Sequence, residues 1–221
     1  MKKVKISLIL NLLIFIFVTV CTIFMFTGIK FMPGESLLEL SKIEMFKFYT
    51  VDSNILIGIV SLILAIYEIR LLKGSIKKIP KKVYILKFIG TSAISLTFFV
   101  TLLFLTPKYG FYAMYSNNNL FFHMIVPLLS FISYIFFEKH DNKLRYSFLG
   151  IIPMALYSIY YISMIVINRH NGGLTIKYDF YGFLGGKLSN AFITIPVIYL
   201  ISYIFAVMFI VLNIKINKKK N

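Results

Sequence analysis

Apolar blocks of about 20 residues, each closed by a short basic or polar segment, recur along this chain, and they constrain its fold more than any single motif does. A hydrocarbon layer about 30 Å thick takes about 20 helical residues to cross. Inside it every backbone polar group must be satisfied within the protein, which leaves helices or closed barrels. The blocks place spanning helices at 6–27, 49–72, 83–106, 120–137, 147–167 and 192–214. Hydrophobic residues make up 59% of the sequence, against about half in a soluble domain. Mean hydropathy is +0.84. The expected fold is therefore all-α. One polytopic domain, 1–221, holds six transmembrane helices and leaves no room for a sizeable soluble domain.

The start, MKKVKISLIL, has the basic character of a signal peptide. Its apolar run is too long for one, and no small-residue cleavage site follows, so it reads as a retained first helix. A single cysteine, Cys21, allows no internal disulfide. Most of the 24 basic residues fall in the segments 2–5, 70–87, 139–145 and 215–220, with Lys87 counted among these flanks. All four segments lie on one side of a six-span topology. The positive-inside rule then puts both termini in the cytoplasm of a multi-pass cell-membrane protein. The net charge of +16 reads as topology signal and contact with anionic lipid. Basic runs split among short flanks, with no basic domain interleaved by aromatics, point away from nucleic acid.

Polar residues inside the spans are the informative exceptions. At 100° per residue, Thr50, Ser53, Asn54, Gly58, Ser61, Ala65 and Glu68 share one face of the second span. Asn119, His123, Pro127, Ser130, Tyr134 and Glu138 line one face of the fourth, and Pro153, Tyr157, Tyr160 and Met164 one face of the fifth. Such faces should turn inward, away from lipid. Spans two and four both begin on the outer side, so Thr50, Ser53, Asn54 and His123 lie at similar depth, far apart in sequence but able to meet. Asp52 falls nearly opposite Thr50 and reads as a headgroup-facing residue near a helix start.

Two readings fit these residues. Small and hydroxyl side chains on one face are the usual glue between membrane helices. A membrane threonine often bonds the carbonyl four residues back, here Phe46. Alternatively, an ionisable residue within a span, here His123, marks a functional site. Metal chemistry finds no support, because no His/Cys cluster has ligand spacing and His140 and His170 fall in loops on opposite sides. The Gly pairs in HNGGL and FLGGK match no phosphate loop and read as turns, so no cofactor is expected. Glu68 and Glu138, at the inner ends of their stripes, are the only hint of a polar path and can equally be interfacial.

FYTVDSN (48–54) resembles the opening of the second span in a family of six-helix membrane proteins. That family includes the androgen-induced and androgen-dependent TFPI-regulating proteins of animals and has a bacterial branch. HMIVPLL (123–129) resembles the family's His-x-x-x-Pro start of its fourth span, and PMALYSIYY (153–161) its fifth-span Pro-x-x-x-Tyr pattern. YDFYGFL (178–184) resembles the loop before its sixth span through Tyr178 and Phe183–Leu184, without that loop's prolines. The resemblance implies an intramembrane threonine hydrolase of fatty-acid esters, with Thr50 as nucleophile and His123 as base.

The chemistry is coherent. A threonine hydroxyl is a weak nucleophile until a base takes its proton, and a neutral imidazole is the usual base. Ser53 and Asn54, one turn from Thr50, are candidate oxyanion donors. Asn119, Tyr157 or, from its loop, Asp179 are candidates to orient His123. Membrane lipids are the expected surroundings and an ester lipid the expected substrate. The alternative is a non-enzymatic six-helix protein, a small transporter or an interaction partner.

Overall fold

A computed structural model describes residues 1–30, 42–138, 142–168 and 178–218. His140, His170 and the glycine pair of HNGGL lie outside these. All secondary structure among the described residues is helical. Six helices are long and apolar enough to cross a membrane: α1 (Lys2–Thr27), α2 (Tyr49–Leu72), α3 (Lys81–Tyr109), α4 (Asn118–Phe137), α5 (Leu144–Ile167) and α6 (Leu188–Asn217). Each covers its expected span, and all but α2 extend a few residues beyond it. At the starts of α1, α3 and α5 and the end of α6 the added residues include lysine or arginine, which form helix well and continue the hydrogen-bonded ladder beyond the apolar run. Gly28 ends α1 in the left-handed conformation, φ 78°, and Pro80 precedes α3 with extended backbone. Lys3 Nζ donates to Asn217 Oδ1 at 3.3 Å, so both termini sit at one end of the bundle.

Buried apolar residues of α1, α2, α3, α4 and α6 form the main core, around Ile14, Ile57, Phe88, Val126, Tyr134 and Phe209. Outward faces carry exposed Ile9, Ile16, Leu156, Ile159 and Leu200, as a lipid-facing surface requires. The stripes of α2 and α4 turn inward as their periodicity dictates. The α5 stripe is rotated from expectation. Its buried side runs through Met154, Tyr157, Tyr161 and Ile165, while Tyr160 is 39% exposed. Tyr161 sets that rotation, because its hydroxyl donates to the Asp179 carboxylate in the loop before α6.

Helices approach closely where side chains are smallest. A Cβ on Gly150 would lie 2.6 Å from the Ala206 Cβ and 2.9 Å from Ser92 Oγ, where α5, α6 and α3 meet. Gly150→Ala is therefore expected to lower the thermal unfolding temperature in detergent, and Ala206→Gly in that background to restore part of it. An unchanged melting temperature for Gly150→Ala would show that the contact relaxes freely.

Three π-helical turns interrupt the spans: Thr101–Leu105 in α3, and Phe121–Ile125 and Ser133–Phe137 in α4. Pro127 has no N–H to offer the His123 carbonyl, and Pro107 none for that of Leu103. The first of these vacancies coincides with the wide turn that carries His123, where Val126 N–H reaches back to the Phe121 carbonyl. Such turns occur often at functional sites.

Candidate functional site

Thr50 lies in the first turn of α2. Phe48, the residue before the helix, supplies no side-chain cap. The cap comes instead from the loop before α6: Tyr49 N–H donates to the Tyr181 hydroxyl oxygen at 2.9 Å, and the Thr50 N–H also faces it. Burial pushes the Tyr181 phenol well above its ordinary range, so it stays neutral at physiological pH. Tyr157 donates its hydroxyl to the Lys47 carbonyl and packs its ring on Tyr49, centroids 5.1 Å apart. Tyr157 thus braces the start of α2. Tyr181→Phe removes the acceptor of a buried helix-start N–H, which costs about 1–3 kcal/mol. Thermal unfolding beside the wild type measures that loss, and an unchanged melting temperature would dismiss the cap.

The Thr50 hydroxyl makes no hydrogen bond among the described residues. Thr27 shows the usual alternative, with its hydroxyl donated back to Ile23 and Phe24 carbonyls at 2.9 and 3.2 Å. The expected bond from Thr50 to the Phe46 carbonyl is not formed. Thr50 is half-buried, and its backbone carbonyl accepts from Ser53 Oγ at 3.1 Å and Asn54 Nδ2 at 2.8 Å.

His123 is buried in the wide turn of α4. Its Nδ1 lies 2.7 Å from the Met114 carbonyl. A carbonyl only accepts, so Nδ1 carries the proton and the lone pair of the neutral ring is on Nε2. Met114 belongs to a short helix, Phe111–Tyr115, placed by Gly110 at φ 88°, a conformation that side chains resist. The Tyr115 ring stands edge-on to the imidazole, centroids 6.3 Å apart.

Thr50 and His123 line one small pocket of about 20 Å³, together with Val51, Leu105, Asn119 and Tyr181. About 10–15 Å³ suffices for one water. The two side chains make no direct hydrogen bond, and the pocket that both line is large enough for one water. Thr50, Leu105 and Tyr181 also line a second space, a groove of about 410 Å³. Its walls are mainly apolar, with Leu96, Val100 and Met154 among them. Its rim at Phe104, Ile193 and Val197 is exposed where lipid would lie.

Several expected roles change. Both amide hydrogens of Asn54 are spent, one on the Thr50 carbonyl and one on the Phe122 carbonyl at 3.1 Å. Asn54 is therefore a strut between α2 and the residue next to His123, not an oxyanion donor. Ser53 bonds the Thr50 carbonyl and faces Thr97 Oγ1 at 2.9 Å, so its single proton is also committed. The Met114 carbonyl orients His123, in place of Asn119, Tyr157 or Asp179. Asn119 lines the small pocket, whereas Asp179 receives Tyr161 and the Leu184 N–H. Sequence reasoning missed Met114 because a backbone carbonyl leaves no residue signature. It missed Tyr181 although YDFYGFL had marked the loop. Comparison with protein-family models, with curated proteins and with solved structures found no match.

Proposed function

We propose that this chain is an integral membrane hydrolase of lipid esters, with Thr50 as nucleophile and His123 as its base. One observation carries the reading. Thr50 stands where a water-sized pocket holding the His123 ring meets a 410 Å³ apolar groove with an exposed rim. That volume is within the usual range for a small-molecule site, about 300–1,000 Å³. The likeness of FYTVDSN and HMIVPLL to the six-helix threonine hydrolases supports the same pair.

An acyl chain lies in the groove and its ester carbonyl reaches Thr50. Thr50 Oγ1 attacks the carbonyl carbon while its proton passes to His123 Nε2, through the bridging water or directly. The tetrahedral intermediate collapses, the ester C–O bond breaks, and His123 returns the proton to the departing alcohol. Water then attacks the acyl-threonine as His123 takes its proton, the acyl C–O bond to Thr50 breaks, and His123 returns the proton to Thr50 Oγ1 as the fatty acid is released. The Met114 carbonyl keeps the imidazole in the required tautomer throughout.

Covalent labelling by a fluorophosphonate probe tests this on the purified protein in detergent. Wild type takes the label; Thr50→Ala and His123→Ala, with folding intact, do not. A well-folded wild type left unlabelled overturns the proposal. The alternative, a non-enzymatic transporter or interaction protein, is favoured by one feature only, an ionisable cluster buried far from Thr50.

A further inference from the structure

That cluster lies near the end of the bundle that carries both termini, about 27 Å from Thr50 along α2 by helix rise. Glu68 of α2 is 2% exposed, Lys87 of α3 is 0% and Glu138, just past α4, is 1%. Lys87 Nζ donates to Ser61 Oγ at 2.7 Å and lies 3.9 Å from Glu138 Oε1. Ser133 Oγ donates to the same Glu138 oxygen at 2.7 Å. The Asn11 side chain of α1 faces both carboxyl groups, with Ser7 beside Glu68. Asn213 of α6 donates to the Glu138 and Tyr134 carbonyls. Lys87, counted from sequence among the solvated flanks, is instead enclosed by protein, and both glutamates are buried beside it.

Two features call for a ligand. The first is charge: among the described residues two carboxyl groups share one ammonium, which leaves one negative charge uncompensated when both are ionised. Low-dielectric surroundings make an unpaired charge expensive. The second is unused donor capacity for a cation. Glu68 Oε2, Glu138 Oε2 and Asn11 Oδ1 are all buried and have no hydrogen-bond partner among the described residues. Among the described residues the other titratable groups facing the cluster are Tyr84 of α3 and Tyr134 of α4, while α1 and α6 contribute Ser7, Asn11 and Asn213.

We propose that Glu68, Glu138 and Asn11 form a binding site for one small monovalent cation, a proton or an alkali ion, with Lys87 as the fixed counter-charge. The site goes beyond the hydrolase reading and does not depend on it. Occupied, the cluster is neutral and five helices close around it. Emptied, it carries a net negative charge that favours opening at this end of the bundle, so occupancy couples to the packing of α1 against α2, α3 and α4.

The readouts need no ester, so their failure is distinct from failure of the hydrolase. The full-length protein in detergent is used. In the proton case, the infrared spectrum at neutral pH without sodium shows a protonated carboxyl band that Glu68→Gln or Glu138→Gln removes. In the alkali-ion case, sodium chloride raises the melting temperature of the wild type by several degrees over choline chloride at equal ionic strength. Either result supports the site and identifies its occupant. The wild-type measurements remain decisive even if both variants fold poorly: a spectrum without a protonated carboxyl band, together with no sodium-specific shift, overturns the proposal.

Discussion

Thr50→Ala is expected to lower turnover of a lipid ester by roughly 10³-fold or more, and His123→Ala by a similar factor. A factor of 10³ corresponds to about 4 kcal/mol of transition-state stabilisation. The effect is large because the two side chains act in one step. Without the hydroxyl there is no acyl-enzyme, and without Nε2 there is nowhere for the hydroxyl proton to go. For the same reason the double variant is expected to be no worse than either single one, since a nucleophile without a base and a base without a nucleophile are equally idle. Thr50→Ser, which keeps the attacking oxygen, is expected to retain measurable turnover. Initial rates on ester lipid in mixed micelles decide this, with gel filtration confirming that each variant folds. Losses that multiply in the double variant would mean that the two residues work independently, and the paired mechanism would fail. The groove adds a second signature. Bulk at Val100 or Met154 shortens the space for the acyl chain, so it should shift chain-length preference without abolishing fluorophosphonate labelling.

The spans were legible because a membrane imposes a simple rule on composition: about 20 apolar residues, then a polar break. The inward faces of α2 and α4 followed from periodicity, since small and polar residues cannot profitably face lipid. Placing Thr50 and His123 at one depth needed only the order of the helices. Other features were hidden for different physical reasons. Asn54 stood out as a buried amide next to Thr50, but its role depends on where both of its hydrogens point, and only the position of the Phe122 carbonyl decides that. The imidazole's partner is a backbone oxygen delivered by a turn at Gly110. Tyr181 acts across 132 positions of sequence, from a loop whose own residues give no sign of that reach. The α5 stripe was off by one position because one hydrogen bond, Tyr161 to Asp179, outweighs a weak apolar periodicity. Lys87 was the hardest to see. It follows a run of lysines that do belong to a flank, and nothing in its neighbours separates a solvated lysine from one enclosed by five helices.

Lys87 also carries the largest expected effect on stability. Lys87→Met keeps most of the length and the apolar character of the stem and removes the charge, together with the hydrogen bond to Ser61 Oγ. Glu138 and Glu68 are then left buried with no cationic side chain to face them among the described residues. Removing one partner of a buried pair costs about 3–5 kcal/mol, because the survivor must be desolvated without compensation. For a chain of this size that corresponds to a fall in melting temperature of roughly 10 °C. Cys21, the one cysteine, is buried, so a thiol-reactive fluorophore reports the transition directly. The same accounting fixes the rescue. Lys87→Met combined with Glu138→Gln removes one charge of each sign, keeps an acceptor for the Ser133 hydroxyl, and should recover most of the loss. A Lys87→Met variant that melts with the wild type would show that the ammonium contributes no net stability, and the charge argument for the cluster would lose its premise. A variant that is destabilised but not rescued would assign the loss to packing around the Lys87 stem instead.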